Sequence, residues 1–245
     1  MFADLLLEGA VTRIEGPLLF AERAARVGRN AAVEILGSDG GARLGRVAAL
    51  DETSMVIEVL QPTAGLGLGG TRLRLRPEPL LVGVGPNMPG RVFDSLGRPI
   101  DGGPPVSARA RMRIEGLAIN PSWRALPRDF IETGISAIDL MNSLVRGQKL
   151  PLFSAGGLPH DRLATEIAQR ARLRGEKHEE FAIVFVGMGV SHDTAEQFRR
   201  AMESSGALGH TVMFLNLADE PGMQRLLTPR YALTAAEYLA FVEGR

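Results

Sequence analysis

The segment between residues 150 and 168 has the layout of a phosphate-binding loop without the groups that hold a phosphate. Its sequence predicts an apolar strand at Leu150 to Phe153, a small-residue turn at Ser154 to Gly157, and a helix that starts at Asp161. A working P-loop ends in Gly-Lys-Ser/Thr, whose backbone N–H groups, ammonium and hydroxyl bind the phosphates and magnesium. Here those positions are Pro159, His160 and Asp161.

Each of these three replacements weakens phosphate binding. Proline has no N–H to donate, and a neutral histidine is a poor substitute for a fixed ammonium. Asp161 adds a negative charge beside the phosphates, and like charges about 4 Å apart repel by roughly 4 kcal/mol at an effective dielectric near 20. We therefore predict a degenerate nucleotide loop of low affinity and no catalytic residue. Its residues are Ser154, Ala155, Gly156, Gly157, Leu158, Pro159, His160 and Asp161.

No other residue is predicted to rescue this loop. The two lysines, Lys149 and Lys177, lie before the strand and beyond the helix, and the direction of Arg162 is not set by the turn. Asp161 has a simpler predicted role, as the side chain that caps its own helix, which is predicted to reach Arg174. On this segment alone, an ordinary strand joined to a helix by a glycine-rich turn explains the pattern equally well.

Other side chains that could do chemistry have plainer interpretations. Two acids before Pro221 are predicted to cap the following helix, Trp123 to pack between domains, and three methionines to fill the core. The four histidines lack metal-ligand spacing, so no metal site is predicted. These acids, methionines and histidines are Asp219, Glu220, Met141, Met188, Met202, His160, His178, His192 and His210.

The composition is that of a globular chain with balanced charge. In 245 residues, 28 basic and 28 acidic side chains give a net charge of zero, and 45% of residues are hydrophobic. Dispersed basic residues argue against nucleic acid as a partner. The absence of cysteine excludes disulfides and thiolate chemistry and fits a cytoplasmic protein. We expect neither a signal peptide nor a membrane span.

The first part of the chain, residues 1–76, reads as a small antiparallel β-barrel or sandwich. Ala32 to Leu36 and Leu44 to Leu50 flank a Gly-Ser-Asp-Gly-Gly turn, and Met55 to Leu60 is rich in β-formers. Thr71 to Arg76 alternates strictly, which predicts leucines facing a core and arginines facing water. A surface for an anionic ligand is the less favoured alternative for these arginines.

Residues 77–245 are predicted to form a second, α/β domain. Its entry segment, 77–127, is dense in proline and glycine and predicts turns and extended connections. Beyond it, buried apolar strands alternate with amphipathic helices, a pattern typical of a parallel sheet. The predicted elements after the first helix are a strand at Phe181 to Gly187, a helix at Asp193 to Ser205 ended by Gly206, a strand at Val212 to Leu217, and a helical tail through Glu237.

Several segments together resemble the rotary ATPases, specifically the non-catalytic B-type chain of the V-type and A-type enzymes. Their order and spacing span nearly the whole chain. The segments are EGPLLF at Glu15 to Phe20, GRVFDSLGRPIDGGPP at Gly90 to Pro105, INPSWR at Ile119 to Arg124, TGISAIDLMNSLVRGQKLPLFSAGGLPH at Thr133 to His160, FAIVFVGMGV at Phe181 to Val190, and LNLADEPGMQRLLTPRYALTAAEYLAF at Leu215 to Phe241.

The resemblance implies an N-terminal β-barrel, a RecA-like nucleotide-binding domain, and a place beside catalytic A subunits in a hexameric head around a rotor. It also implies a cytoplasmic complex attached to a membrane sector, with Mg-ATP or Mg-ADP at interfaces with the catalytic subunit and none tightly bound here. Catalytic relatives carry a glutamate general base where the register places Val190, and valine cannot take a proton.

Members of this family continue beyond AEYLAF, whereas this sequence stops at Arg245. The missing part would complete the sheet, supply an arginine to the neighbouring catalytic site and form a C-terminal helical domain. We therefore expect a truncated chain with an incomplete RecA-like domain. Two other functions stay open at this stage. One is a free-standing binding module; the other, less favoured, is an active P-loop hydrolase.

Overall fold

A computed structural model describes residues 5–24, 27–123, 125–173 and 181–245 of the chain. Four residues named in the sequence analysis, Arg124, Arg174, Lys177 and His178, lie outside these ranges. The described chain is an α/β fold, as predicted: a curled antiparallel sheet at the N-terminus is followed by a parallel sheet with helices.

The N-terminal sheet has seven antiparallel strands and encloses a core of its own. The strands are β1 (Leu5–Glu8), β2 (Val11–Glu15), β3 (Leu18–Glu22), β4 (Ala31–Leu36), β5 (Ala42–Leu50), β6 (Ser54–Val59) and β7 (Arg72–Pro79). They pair in the order β1-β7-β4-β5-β6-β3-β2. The predicted hairpin turn joins β4 to β5. It is closed by a 2.9 Å hydrogen bond from the Gly37 N–H to the Gly41 carbonyl.

The alternation in β7 has the predicted result. Leu73 and Leu75 are buried in the core of the sheet. The arginines that alternate with them lie on the other face, where Arg74 donates to Glu34 on β4 at 2.7 Å. This cross-strand pairing confirms a solvated, salt-bridged strand face.

The middle of the chain forms short elements that connect the two larger sheets. They are β8 (Leu81–Val84), β9 (Val92–Phe93), β10 (Ala110–Arg113), a 3₁₀ turn (Pro121–Trp123), β11 (Phe130–Glu132), α1 (Ser136–Met141) and β12 (Leu144–Val145). Strands β8 and β10 pair with each other, and β11 pairs with β12.

The α/β part follows. Its elements are α2 (His160–Arg170), β13 (Arg172–Leu173), β14 (Ile183–Val190), α3 (His192–Ser204), a second 3₁₀ turn (Ala207–His210), β15 (Thr211–Leu217) and α4 (Gly222–Phe241). Strand β13 pairs with β11, and β14, β15 and β9 form a parallel sheet in that order. Gly206, at φ +75°, ends α3 in the left-handed conformation that glycine adopts without a Cβ penalty, as predicted.

The predicted strand at Leu150 to Phe153 is wrong, because these residues lie in irregular chain. A strand needs a neighbour for its backbone groups, and the place beside β15 is occupied by β9. Strand β9 comes from the segment predicted to hold only turns and connections. Helix α2 is also shorter than predicted: it ends at Arg170 instead of Arg174, and the chain continues into β13.

Three packing predictions were also wrong. Trp123, Met141 and Met188 are exposed, whereas Met202 is fully buried as predicted. Trp123 lies in a 3₁₀ turn without buried residues, and Met141 is the last residue of a helix that buries only Ile138. Within the described ranges, no helix has both the length and the apolar character needed to cross a membrane.

A second core joins the N-terminal sheet to α4. It contains Leu60 from the end of the N-terminal sheet, Val82 and Val84 from β8, Phe214 from β15 and Tyr238 from α4. Phe93 of β9 stacks on Phe214 with ring centroids 5.2 Å apart. The proline- and glycine-rich entry segment therefore packs beneath α4 as part of the core.

Candidate functional site

The loop predicted to be a degenerate phosphate site is an exposed turn ahead of α2. Seven of its eight predicted residues are exposed, and Asp161 is half-buried. The loop is closed by its own backbone: the Leu158 N–H donates to the Ala155 carbonyl at 3.3 Å, and the His160 N–H donates to the Leu158 carbonyl at 2.8 Å. Just before it, Phe153 is 94% exposed. The structure therefore presents these residues on a projecting segment.

Helix α2 begins differently from the prediction. Pro159 occupies the N-cap position, without a side-chain capping bond, so the predicted cap by Asp161 is wrong. Asp161 lies in the first turn, where its carboxylate still interacts favourably with the helix dipole. The His160 imidazole Nε2 lies 3.6 Å from its Oδ1. An acid therefore occupies the end of the helix where a phosphate would bind.

Arg162 does not turn back toward the loop. Its Nε donates to Glu166, one turn along α2, at 2.9 Å. Glu166 also forms an ion pair with Arg170, whose Nη2 lies 3.7 Å from Glu166 Oε2. The guanidinium nearest the loop is therefore committed to an exposed ion pair on the helix surface.

Val190 is the last residue of β14, at the carboxyl end of the parallel sheet, where ligands of open α/β sheets bind. The register against β15 shifts between Met188 and Val190, around Gly189 at φ +67°. A Cβ on Gly189 would lie 3.2 Å from the Arg225 guanidinium carbon, so a side chain there would displace Arg225. Glycine thus lets the guanidinium approach the strand end closely.

The polar side chains at this sheet edge are bonded to one another. Fully buried Asn216, on β15, accepts from Arg225 Nε at 2.7 Å and from the Gly189 N–H at 3.2 Å through Oδ1. Its Nδ2 donates to Ser95 at 2.9 Å and to Glu220 at 2.7 Å. We call these four side chains, Ser95, Asn216, Glu220 and Arg225, the edge network.

Glu220 is the anionic acceptor of the edge network. Its Oε2 accepts from the Ser95 hydroxyl, from Asn216 Nδ2 and, at 3.1 Å, from the Leu217 N–H. It does not cap α4, whose N-cap is Pro221 without a side-chain bond, so that prediction was wrong. The neighbouring Asp219 does not cap either: it faces His192 at 3.2 Å, and this hydrogen bond lowers the pKa of Asp219.

The edge network is one that sequence reasoning missed. Ser95 and Asn216 are separated by more than a hundred residues, and no local spacing links them. The one usable signal was an asparagine inside an apolar strand, since a buried amide requires partners. Among the described residues, no group of three or more histidine and acidic side chains has the geometry to hold a metal ion.

Known proteins resemble this chain over most of its length. Residues 134–245 match the ATP synthase alpha/beta family, nucleotide-binding domain. The chain is 49% identical over 231 residues to the B subunit of the A-type ATP synthase of Aeropyrum pernix, covering 94% of the chain. It is 47% identical over 234 residues to the V-type ATP synthase beta chain of Halothermothrix orenii, covering 96%.

A third relative agrees: the B 1 subunit of the A-type ATP synthase of Methanospirillum hungatei is 46% identical over 231 residues. Each of these alignments covers 50% of the relative, so the chain spans about half the length of the curated relatives it matches. The predicted resemblance is therefore confirmed. With a family domain over residues 134–245 and close relatives along the rest, the chain belongs to the ATP synthase alpha/beta family.

Proposed function

We propose that the chain acts as a non-catalytic, regulatory and structural B-type (beta) chain of an A- or V-type ATP synthase or proton-translocating ATPase. In this role it holds catalytic A subunits in an alternating head, lines their nucleotide sites from outside, and passes the position of a central rotor between them. The complex is peripheral to a membrane sector and cytoplasmic. Nucleotide, as Mg-ATP or Mg-ADP, is bound at interfaces with the catalytic subunit.

The observation that carries the proposal is the chemistry at the carboxyl edge of the parallel sheet. A hydrolase of this kind needs a carboxylate base there, and the strand end is Val190. The acid that does lie at this edge is Glu220, which follows β15, and its carboxylate accepts from Ser95 and Asn216. It already accepts three hydrogen bonds, so it is poorly placed to activate water.

The loop supports the same function. Asp161 opens α2 with a negative charge, and Arg162 pairs with Glu166 instead of facing the loop. A triphosphate would approach an acid with no lysine next to it in the sequence. Little nucleotide affinity is therefore expected from this chain alone.

Two measurements test the proposal. Calorimetric titration of Mg-ATP into the isolated chain should show no binding in the micromolar range, and phosphate release should stay at background. Micromolar binding, or turnover by the purified chain, would sink the non-catalytic assignment. A variant with Pro159→Gly, His160→Lys and Asp161→Thr tests the cause, because restoring the loop chemistry should raise affinity for Mg-ATP above that of the parent chain.

The proposed place in a complex needs a separate experiment. The chain is co-expressed with the catalytic A subunit of an A-type enzyme, and an affinity tag on that partner is used for purification. Retention of the chain supports assembly. Elution of the tagged catalytic subunit without the chain would contradict assembly and favour a free-standing binding module.

A further inference from the structure

Helix α4 has one face that packs on the core and another that carries an exposed apolar seam. The core face includes Leu227, Tyr231, Ala235 and Tyr238. On the outer face, Leu226, Leu233 and Phe241 are 64%, 63% and 62% exposed. Three large apolar side chains on one side of a helix are more than the isolated exposed residues that normal surfaces carry.

The spacing of the outer face is that of a helix-pairing seam. Residues 226, 230, 233, 237 and 240 alternate in steps of four and three, the repeat by which two helices interlock. Leucine and alanine occupy 226, 233 and 240, and Arg230 and Glu237 occupy the two positions between them. We call these residues, with Phe241, the α4 seam. It extends over about 22 Å of helix.

The charges of the α4 seam are complementary to a reversed copy of itself. Consider an antiparallel pair whose twofold axis passes near Leu233. Arg230 of one copy then lies within a turn of Glu237 of the partner subunit, and by symmetry Glu237 lies within a turn of Arg230 of the partner subunit. At the same time Leu226 lies near the height of Phe241 of the partner subunit. A parallel pair would instead place arginine against arginine and glutamate against glutamate, which is unfavourable.

Arg230 is available for such a contact. Its side chain is exposed on the outer face of α4. Glu237 is half-buried, and its Oε2 accepts the Leu117 N–H at 3.1 Å, which fixes the carboxylate beside the seam. A fixed acid and an exposed arginine one turn on either side of a leucine suit an isologous contact, in which each surface meets itself.

We propose that the α4 seam is a self-association surface that pairs two copies of this chain antiparallel through Leu226, Arg230, Leu233, Glu237 and Phe241. One helix pair buries less area than a standard interface, so the dimer is weak, with a dissociation constant on the order of 10–100 µM. The inference concerns the chain by itself and does not depend on the function proposed above.

Sedimentation velocity of the chain between 5 and 300 µM tests the proposal. The parent chain should shift from monomer to dimer over this range. Leu233→Glu places two carboxylates beside the twofold axis and should raise the dissociation constant at least tenfold. Leu140→Glu, at another exposed leucine, on α1, is the control and should leave self-association unchanged.

A charge-swap experiment tests the antiparallel arrangement. Arg230→Glu alone and Glu237→Arg alone each create two like-charge pairs, and each should weaken self-association about tenfold. Mixed in equal amounts, the two variants should form a heterodimer. In it, the two glutamates of one variant face the two arginines of the other. Glu237→Arg also removes the acceptor of the Leu117 N–H, so circular dichroism and thermal unfolding must first show that it folds like the parent.

Three results would overturn the proposal. They are a parent chain that stays monomeric at 300 µM, self-association that Leu233→Glu leaves unchanged, and a mixture of the two folded charge variants that forms no heterodimer. If Glu237→Arg does not fold, Glu237→Gln replaces it. That variant keeps an acceptor for Leu117, and its mixture with Arg230→Glu should associate more tightly than Arg230→Glu alone.

Discussion

At the scale of single residues, the polar side chains at the carboxyl edge of the parallel sheet hydrogen-bond to one another at the place where a catalytic relative would carry its base. Asn216 is fully buried on a strand of apolar neighbours, and a buried amide is costly unless its oxygen and its N–H groups are bonded. Arg225 and Gly189 satisfy the oxygen, and Ser95 and Glu220 satisfy the nitrogen. These bonds connect the loop after β9 with β15 and the first turn of α4, and they leave no unbonded acid at this sheet edge among the four side chains.

This network predicts that Glu220→Gln destabilises the fold. The substitution replaces a charged acceptor of three hydrogen bonds by a neutral one, and hydrogen bonds to charged groups contribute about 1.5–3 kcal/mol. We expect the free energy of unfolding to fall by about 2 kcal/mol in urea titrations at pH 7. Asp219→Asn is the control, because its pair with His192 is exposed and should change stability by less than about 0.5 kcal/mol. Equal effects of the two substitutions would contradict the role of the edge network.

A second residue-scale prediction concerns acid stability. Asp101 accepts from Arg91 Nε at 2.5 Å and Nη2 at 2.8 Å, and from the Val92 N–H at 3.1 Å at the start of β9. The Arg91 guanidinium, together with the N–H groups of Val92 and Gly103, holds the pKa of Asp101 well below its usual range. Because the pKa is lower in the folded state, the stabilisation is complete above the unfolded value, near 4, and is lost as pH falls toward the folded value.

The free energy of unfolding of Asp101→Asn should therefore lie below that of the parent chain at neutral pH, and the two values should converge in acid. Unfolding free energies at pH 7, 5, 4 and 3 should differ by about 1.5–3 kcal/mol at the higher pH values. The difference should shrink below pH 4. A constant difference across the range would show that the carboxylate charge is not what stabilises β9.

At the scale of elements, the structure separates what local sequence can specify from what it cannot. Strands β7 and β15 and helix α3 begin and end within a few residues of the predicted bounds, because alternation, an apolar run and a C-terminal glycine are local signals. Strand β9 was missed because its two residues are strand only through pairing with β15. The strand prediction for residues 150–153 failed for the opposite reason, because this segment has the composition of a strand but no neighbouring strand to pair with.

The same distinction explains the candidate site. The missing lysine and the valine at the strand end could be read directly from the sequence, since each depends on one position. The edge network could not, because Ser95 reaches Asn216 only after the entry segment packs beneath α4. By residue type, Met141 was predicted to fill the core and Trp123 to pack between domains, but both lie on short elements that bury little.

Helix α4 carries the element-scale prediction. Tyr238 is buried in the core shared with the N-terminal sheet, and its hydroxyl donates to Glu243 at 2.5 Å. Tyr238→Ala should lower the free energy of unfolding by about 3–5 kcal/mol through the cavity it leaves. Tyr238→Phe keeps the ring and should cost only about 1 kcal/mol. Urea unfolding of both variants checks the prediction, and a small effect of the alanine variant would mean that α4 contributes little to the core.

At the scale of the whole molecule, the N-terminal sheet and the α/β part are expected to unfold together. Leu60, at the end of the N-terminal sheet, shares one core with Tyr231 of α4, and its carbonyl accepts from buried Gln224 at 2.9 Å. Tyr231 is buried at this junction, and burial raises the pKa of its hydroxyl to about 12. Joint burial of this kind links the stability of the two parts.

Gln224→Ala tests that link. It leaves the Leu60 carbonyl buried without its donor, so it should cost about 1–3 kcal/mol and broaden thermal unfolding toward two transitions. Gln169→Ala removes the same type of bond, from Nε2 to the Ala201 carbonyl, but within the α/β part alone. It should lower stability without separating the transitions. Separation in both variants, or in neither, would contradict a junction held through Gln224.

The packing of the entry segment beneath α4 also sets an order of events during synthesis. Val82 and Val84 leave the ribosome long before Tyr238 and Leu239, which are buried in the same core. At about 5–20 residues per second, a chain segment of roughly 150 residues takes on the order of 10–30 s to make. For that interval the N-terminal sheet can be complete while strand β8 and the apolar residues around it await α4. A nascent chain of this protein therefore stays exposed to chaperones and proteases at β8 until α4 has emerged.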